Sequence, residues 1–217
     1  ILTKRAKRML QIMCDSQHCD FFGDSWARRN AQILDSLHNR SPQGFPVSTT
    51  WRSTNIWLGV SVEDQKTADE RIPLLLQTPA AVRFVSYEPA LGPVDFKHYL
   101  INWSHFGGKW GSLHQLIAGG ESGPGARPSH PNWFRSARDQ AVAVGVSFFF
   151  KQWGEWIPPS QLRVGMNLNC REGGFGSFRV GKKAAGRLLD GREWNESPQG
   201  VLSANEGSAT PESNPHA

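Results

Sequence analysis

Five short apolar runs, each ending in a charged or hydrogen-bonding cluster, recur along this chain with helix-patterned segments between them. "ILTKR" ends on Lys4 and Arg5, "NIWLGVSVE" carries Ser61 and Glu63, "AVRFVSYEP" carries Ser86 and Glu88, "LHQLIAGGE" leads into Glu121 and Ser122, and "GVSFFFKQWGEW" carries Lys151 and Gln152. Apolar strands alternating with helices predict a parallel sheet with crossover helices, either a barrel or an open sheet. We read the chain as α/β, a partial TIM-like barrel with strands ending near residues 4, 62, 87, 119 and 151. In such a barrel the carboxyl ends of all strands converge on one face, where active sites lie. Five clusters then become one polar pocket.

A plainer reading stands beside this one. A polar residue after a strand is commonly a turn former or helix cap: Ser61 or Asp64 would cap the next helix, and Glu88 before Pro89 would serve a turn. Repetition at five strand ends, three with a glutamate and two with a lysine, favours the shared site.

The helical segments fall at about Ala6–Met13, Ser25–Leu37, 65–77 and 130–145. Pro73 should kink or split the third. In the fourth, Trp133, Ala137, Ala141 and Val144 are expected to face inward. "VGKKAAGRLLDGREWNE" reads as a strand or turn plus a helix that closes the barrel, with Lys182, Lys183 and Arg187 available to phosphates. One barrel domain should therefore span 1–198, and the Ser-, Pro-, Asn- and Gly-rich tail from 199 to 217 should be disordered.

The chain has 217 residues, of which 38% are hydrophobic and 20% charged, enough for one domain with a real core. No apolar run approaches the roughly 18 residues of a membrane span, and the basic start lacks a signal-peptide core. We expect a cytoplasmic protein without a membrane partner. Cys14, Cys19 and Cys170 form neither a disulfide framework nor a readable metal site. A net charge of +5 allows an anionic partner, nucleic acid or a nucleotide, although "TKRAKR" and "GKKAAGR" also suit solvated helix faces. Nine tryptophans are many for this length; most belong in a core, and some suit stacking on a base.

"GGESGPGARP", from Gly119 to Pro128, lies between a strand and a helix. Its backbone N–H groups suit an anion, and Glu121 suits an amine or a ribose hydroxyl. It matches neither the dinucleotide fingerprint nor the phosphate-binding P-loop. Arg127 either binds a carboxylate or phosphate bidentately or pairs with a neighbouring acid. We expect this loop to line the main pocket, with Glu121 beside Glu63 and Glu88. Three converging carboxylates would raise the pKa of at least one unless Lys4, Arg127, Lys151 or a cationic ligand compensates. Lys151 would orient an anion or act as a base, or else pair with Glu155 or Glu121; Trp153 would touch substrate or form a lid of the core.

The runs from Asn55 to Phe96, from Gly119 to Gln140 and from Phe148 to Trp156, together with "VGKKAAGRLLDGREWNE", resemble the phage and bacterial family written in words as gp thirty-seven/gp sixty-eight. The likeness runs from Ile1 to about Pro198 and is weaker from Cys14 to Arg52. It implies kinship to the radical S-adenosylmethionine barrels, and this chain resembles the family's carboxyl-terminal portion. Family members carry an earlier cysteine motif resembling the ligands of a [4Fe-4S] cluster. Cys14 and Cys19 do not fill that role, which leads us to expect a truncated chain or a second chain that supplies the missing half. The resemblance implies S-adenosylmethionine as cofactor, with contacts from Ser61, Glu63, Gly119, Gly120, Glu121, Ser122 and Arg127. It implies substrate contacts from Lys4, Arg5, Gln152 and Trp153, and catalytic roles for Lys151 and Glu88. The expected function is the carboxyl-terminal part of a radical S-adenosylmethionine-like protein acting on nucleic acid or nucleotides. The alternative is a noncatalytic nucleic-acid-binding or assembly module that keeps the barrel scaffold.

Overall fold

The computed structural model describes residues 1–15, 57–78, 80–100, 112–162, 164, 166 and 173–198. The helix expected over Ser25–Leu37, the residues Cys19 and Cys170, and the tail from 199 lie outside them, as does the side chain of Cys14.

Strands β1 (Leu2–Thr3), β2 (Trp57–Val62), β3 (Val82–Tyr87), β4 (Gln115–Gly119) and β5 (Ser147–Gln152) form one sheet in sequential order. Every pairing is parallel, from Leu2 beside Gly59 to Phe150 beside Ala118. The strands end within one residue of the expected positions because the residues that stop them are the polar clusters themselves.

Parallel strands need crossovers, and helices supply them: α1 (Ala6–Asp15), α2 (Gln65–Gln77), the single turn α3 (Lys97–Leu100) and α4 (Pro131–Ala143). Right-handed crossovers between strands in sequential order place their helices on one face of the sheet. Alternation then directs Leu58, Val60, Val62, Val85, Tyr87, Leu116, Ala118, Phe148 and Phe150 under the helices, and all are fully buried. Each of the valine, leucine and phenylalanine side chains contributes roughly 1.5–3 kcal/mol by leaving water. Phe134 of α4 packs edge-on against Phe150 and Trp153, at centroid distances of 5.0 and 5.2 Å.

Local chemistry sets the helix ends. Asp64 starts α2 with a capping box: its carboxylate accepts from the Thr67 N–H, and the Thr67 hydroxyl accepts from the Asp64 N–H. That backbone hydrogen bond, with the Thr67 hydroxyl, holds Asp64 below its usual pKa. Helix α2 continues through Pro73, where a kink or a split was expected, so the helix is not split. Ile72, Leu75 and Leu76 are pinned to the sheet on both sides of it, and tertiary burial outweighs the missing backbone donor. In α4, Ala137 and Ala141 face inward as expected and Trp133 is partly buried, but Val144 is 51% exposed. Val144 is the C-cap, beyond the last turn of the stripe.

The carboxyl-terminal segment does not add a parallel strand. After the hairpin of β6 (Trp156–Ile157) and β7 (Phe178–Arg179) and the turn α5 (Lys182–Ala185), residues 194–196 pair antiparallel with the outer edge of β5. Phe150 N–H donates to the Trp194 carbonyl at 3.0 Å, and Glu196 N–H to the Phe148 carbonyl at 3.2 Å. The Glu196 carboxylate accepts from the Phe148 N–H, and the Gln115 amide donates to the Glu196 carbonyl. The segment expected to close a barrel thus covers a sheet edge, and the described strands make an open five-stranded parallel sheet.

Candidate functional site

The sheet face away from the helices has a different composition. Gly59, Ser61, Ser86 and Gly119 keep it low at its carboxyl-terminal half, and Glu63, Glu88, Lys4 and Lys151 rise at its margin. Phe84 lies over Gly59, whose Cβ would fall 2.4 Å from the ring.

Two ion-pair groups cross this margin. On the β1–β2 side, Glu63 is 8% exposed and receives Arg71 of α2 at 2.9 Å on Oε2 and Lys4, just after β1, at 2.5 Å on Oε1. Arg71 also donates to the Ser61 carbonyl at 2.7 Å, which fixes the guanidinium against the strand end. The Lys4 contact is a charge contact without hydrogen-bond geometry, so Glu63 Oε1 keeps an unfilled acceptor position. On the other side, Glu88 at the end of β3 accepts from the Ser86 hydroxyl at 3.3 Å and meets Lys151 of β5 at 3.0 Å. Strand β4 lies between those two strands. The pair crosses it at Gly119, where a Cβ would stand 2.9 Å from Glu88 Oε2. A glycine at that position opens the passage between β3 and β5.

Glu121 is held separately. Its carboxylate takes a bidentate contact from Arg127 at 2.8 and 2.7 Å, and the Arg127 N–H at 2.8 Å. These hydrogen bonds hold its pKa below the usual carboxylate range. Each of the three expected acids therefore meets a cation of its own: Lys4 and Arg71 at Glu63, Lys151 at Glu88 and Arg127 at Glu121. Of the two readings of Arg127, pairing with a nearby acid is the one observed.

The remaining nominated residues divide clearly. Gly120 donates to the Gln152 carbonyl, and its Cβ would fall 1.9 Å from the Trp153 carbonyl, so it joins the loop to β5. Ser122 is exposed in the loop. Arg5 is exposed, and its carbonyl accepts from Met9 N–H at the start of α1. Gln152 is 8% exposed. Trp153 belongs to the core: it is 2% exposed, packs on Phe134 and Phe150, and donates from Nε1 to the Leu188 carbonyl. A cleft of about 940 Å³ between α4 and the segment near Pro93 and Asp95 lies elsewhere and contains none of the nominated residues.

Arg71 was not anticipated, nor was the ring contact of Arg187. Arg71 sits eight residues after Glu63, two turns into the next helix, a spacing that could have disclosed it. Arg187 stacks over Phe149 at 5.1 Å from the ring centre, a contact no local pattern reveals.

Among the described residues no group of three or more His, Cys, Asp or Glu side chains is placed to hold a metal ion. The side chains of all three cysteines lie outside the described residues, so sulfur ligands for an iron–sulfur cluster are not among the groups described. Ser61, Glu63, Glu88 and Lys151 do offer acceptors for an ammonium and a donor for a carboxylate. No curated protein and no solved structure matches the chain. The model of the family described as protein of unknown function (DUF5131) matches residues 1–198, and the chain belongs to that family.

Proposed function

We propose that the carboxyl-terminal margin of the sheet binds a zwitterionic nucleoside of the S-adenosylmethionine type, as the carboxyl-terminal part of a radical S-adenosylmethionine-like barrel. The observation that carries this reading is the pair of Glu88 and Lys151 meeting across Gly119. Glu88 has a largely buried side chain, and a ligand with one charge would leave one partner unpaired there, at a cost. A ligand with both charges replaces both halves: its ammonium takes Glu88 or the open acceptor of Glu63, and its carboxylate takes Lys151 or Lys4. The sequential strand order supports a barrel-like arc, since no reversal moves helices to the opposite face. If chemistry occurs there, Lys151 Nζ is the group placed to exchange a proton, with Glu88 orienting it.

Calorimetric titration of S-adenosylmethionine and S-adenosylhomocysteine into the whole chain tests the reading. E88Q should weaken binding by about 1.5–3 kcal/mol, the range for a hydrogen bond to a charged group. Absence of binding to the intact protein would refute it.

A second reading, a nucleic-acid-binding module, draws on the charge count. Among the described residues, the three cations Lys4, Arg71 and Lys151 meet two acids, Glu63 and Glu88, and the Lys4 and Lys151 side chains are 61% and 54% exposed.

A further inference from the structure

The segment from Gly173 to Lys183 takes no part in the ion-pair groups, yet it contains a backbone anomaly. Phe175 has φ 62° and ψ 23°, the left-handed region, followed by Gly176 at φ 65°, where a glycine sits without hindrance. A bulky residue there is a genuine outlier, and such outliers persist where the surroundings hold them. The strain does not serve burial, because Phe175 is 53% exposed.

Other aromatic rings hold it. Phe175 meets His130 at 5.0 Å and 86°, and Trp133 at 5.4 Å and 77°, so the rings meet nearly perpendicular, edge to face. His130 and Trp133 are themselves fixed at the start of α4, where His130 Nδ1 accepts from the Asn132 N–H. The segment is anchored below: Gly174 lies against Pro128, and Arg179 donates to the Gly123 carbonyl at 3.2 Å. The result is a supported aromatic surface beside the loop that follows β4.

Cations accompany it. Lys182 and Lys183 are both exposed on the same segment. At full extension, seven or eight residues span no more than about 25–29 Å, a distance of a few nucleotides. An exposed ring and exposed ammonium groups on one short segment match alternating flat bases and phosphates, the combination that binds single strands without reading sequence. We infer that Phe175, backed by His130 and Trp133, is a base-stacking platform for single-stranded nucleic acid whose phosphates run to Lys182 and Lys183. This site does not depend on the zwitterion reading.

Fluorescence anisotropy with a labelled oligothymidylate and the whole chain tests it. Binding should weaken with salt, and F175A should weaken it about tenfold or more. F175Y and F175W should stay within about twofold of the parent, since any aromatic ring offers the stacking face. F175L, apolar but not aromatic, should resemble F175A. F175G keeps the assay independent of folding, because glycine accepts φ 62° and a thermal melt can confirm a folded variant; it too should lose affinity. K182A with K183A should reduce the salt slope by about 1.4, from roughly 0.7 per single-strand phosphate contact. Lack of oligonucleotide binding, equal binding by folded F175A or F175G, F175L matching F175Y, or thymidine monophosphate binding as tightly as the oligonucleotide would each overturn the proposal.

Discussion

The two faces of the parallel sheet contrast in what holds them. Under the helices, Leu58, Val60, Val85, Leu116, Phe148 and Phe150 make a continuous apolar layer with no exposed surface. On the other face, small residues alternate with rings, and the margin depends on ion pairs between residues far apart in sequence, Glu63 with Lys4 and Glu88 with Lys151. Apolar burial is non-directional and tolerant of detail; paired charges are sensitive to positions of a few tenths of an ångström. The first face therefore sets stability, and the second is the one we propose for recognition.

The largest expected effect strikes the first face. F150A should destabilise the fold by about 3–5 kcal/mol, because a fully buried ring shared with Phe134 and Trp153 leaves a cavity. Urea denaturation measures this, and a loss below about 1 kcal/mol would mean that the core face does not carry stability. G119A strikes the second face. Its Cβ would displace the Glu88 carboxylate from Lys151, so affinity for S-adenosylmethionine should fall by about 1.5–3 kcal/mol while the thermal midpoint changes little. Unchanged affinity in calorimetry would break the assignment of that face to recognition.

A smaller effect concerns acid. Asp190 is held by Arg135 and then Arg138 of α4, which lowers its pKa from 3.8 to about 2. A depressed carboxylate pKa contributes stability that is present above the unfolded value and lost as pH falls from near 4 towards 2. D190N should flatten the stability–pH curve in that window, and an identical curve would remove the clamp from the account. Its side chain is 35% exposed, so solvent screening keeps the amplitude modest. The smallest change is expected from R127A. Glu121 loses only a loop contact with an exposed partner, which should cost at most about 1 kcal/mol in denaturant melts and leave ligand affinity near the parent value.

Much of this contrast was legible in the chain. Apolar runs with polar ends located all five strands, because strand termination and site chemistry are performed by the same residues. Pairing was harder to read. Glu121 and Arg127 are six residues apart, and that local contact was one of two stated options; Glu88 and Lys151 are 63 apart and meet only because β4 offers a glycine between them. Trp153 shows the converse limit: a tryptophan after a charged strand end resembles a site residue until packing buries it under α4. The antiparallel cover on β5 was also hidden, since "REWNE" carries no alternating apolar pattern and is held by backbone bonds and by Glu196.

The central claim is that the margin around Glu88, Gly119 and Lys151 recognises paired charges on one ligand. Parallel calorimetric titrations of S-adenosylhomocysteine and of methylthioadenosine, both neutral at sulfur, compare ligands of which the second lacks the amino-acid end. The account predicts that S-adenosylhomocysteine binds tighter by about 1.5–3 kcal/mol, and that E88Q removes most of the difference. Equal affinity of the two ligands for the intact protein, or a difference that survives E88Q undiminished, would contradict it.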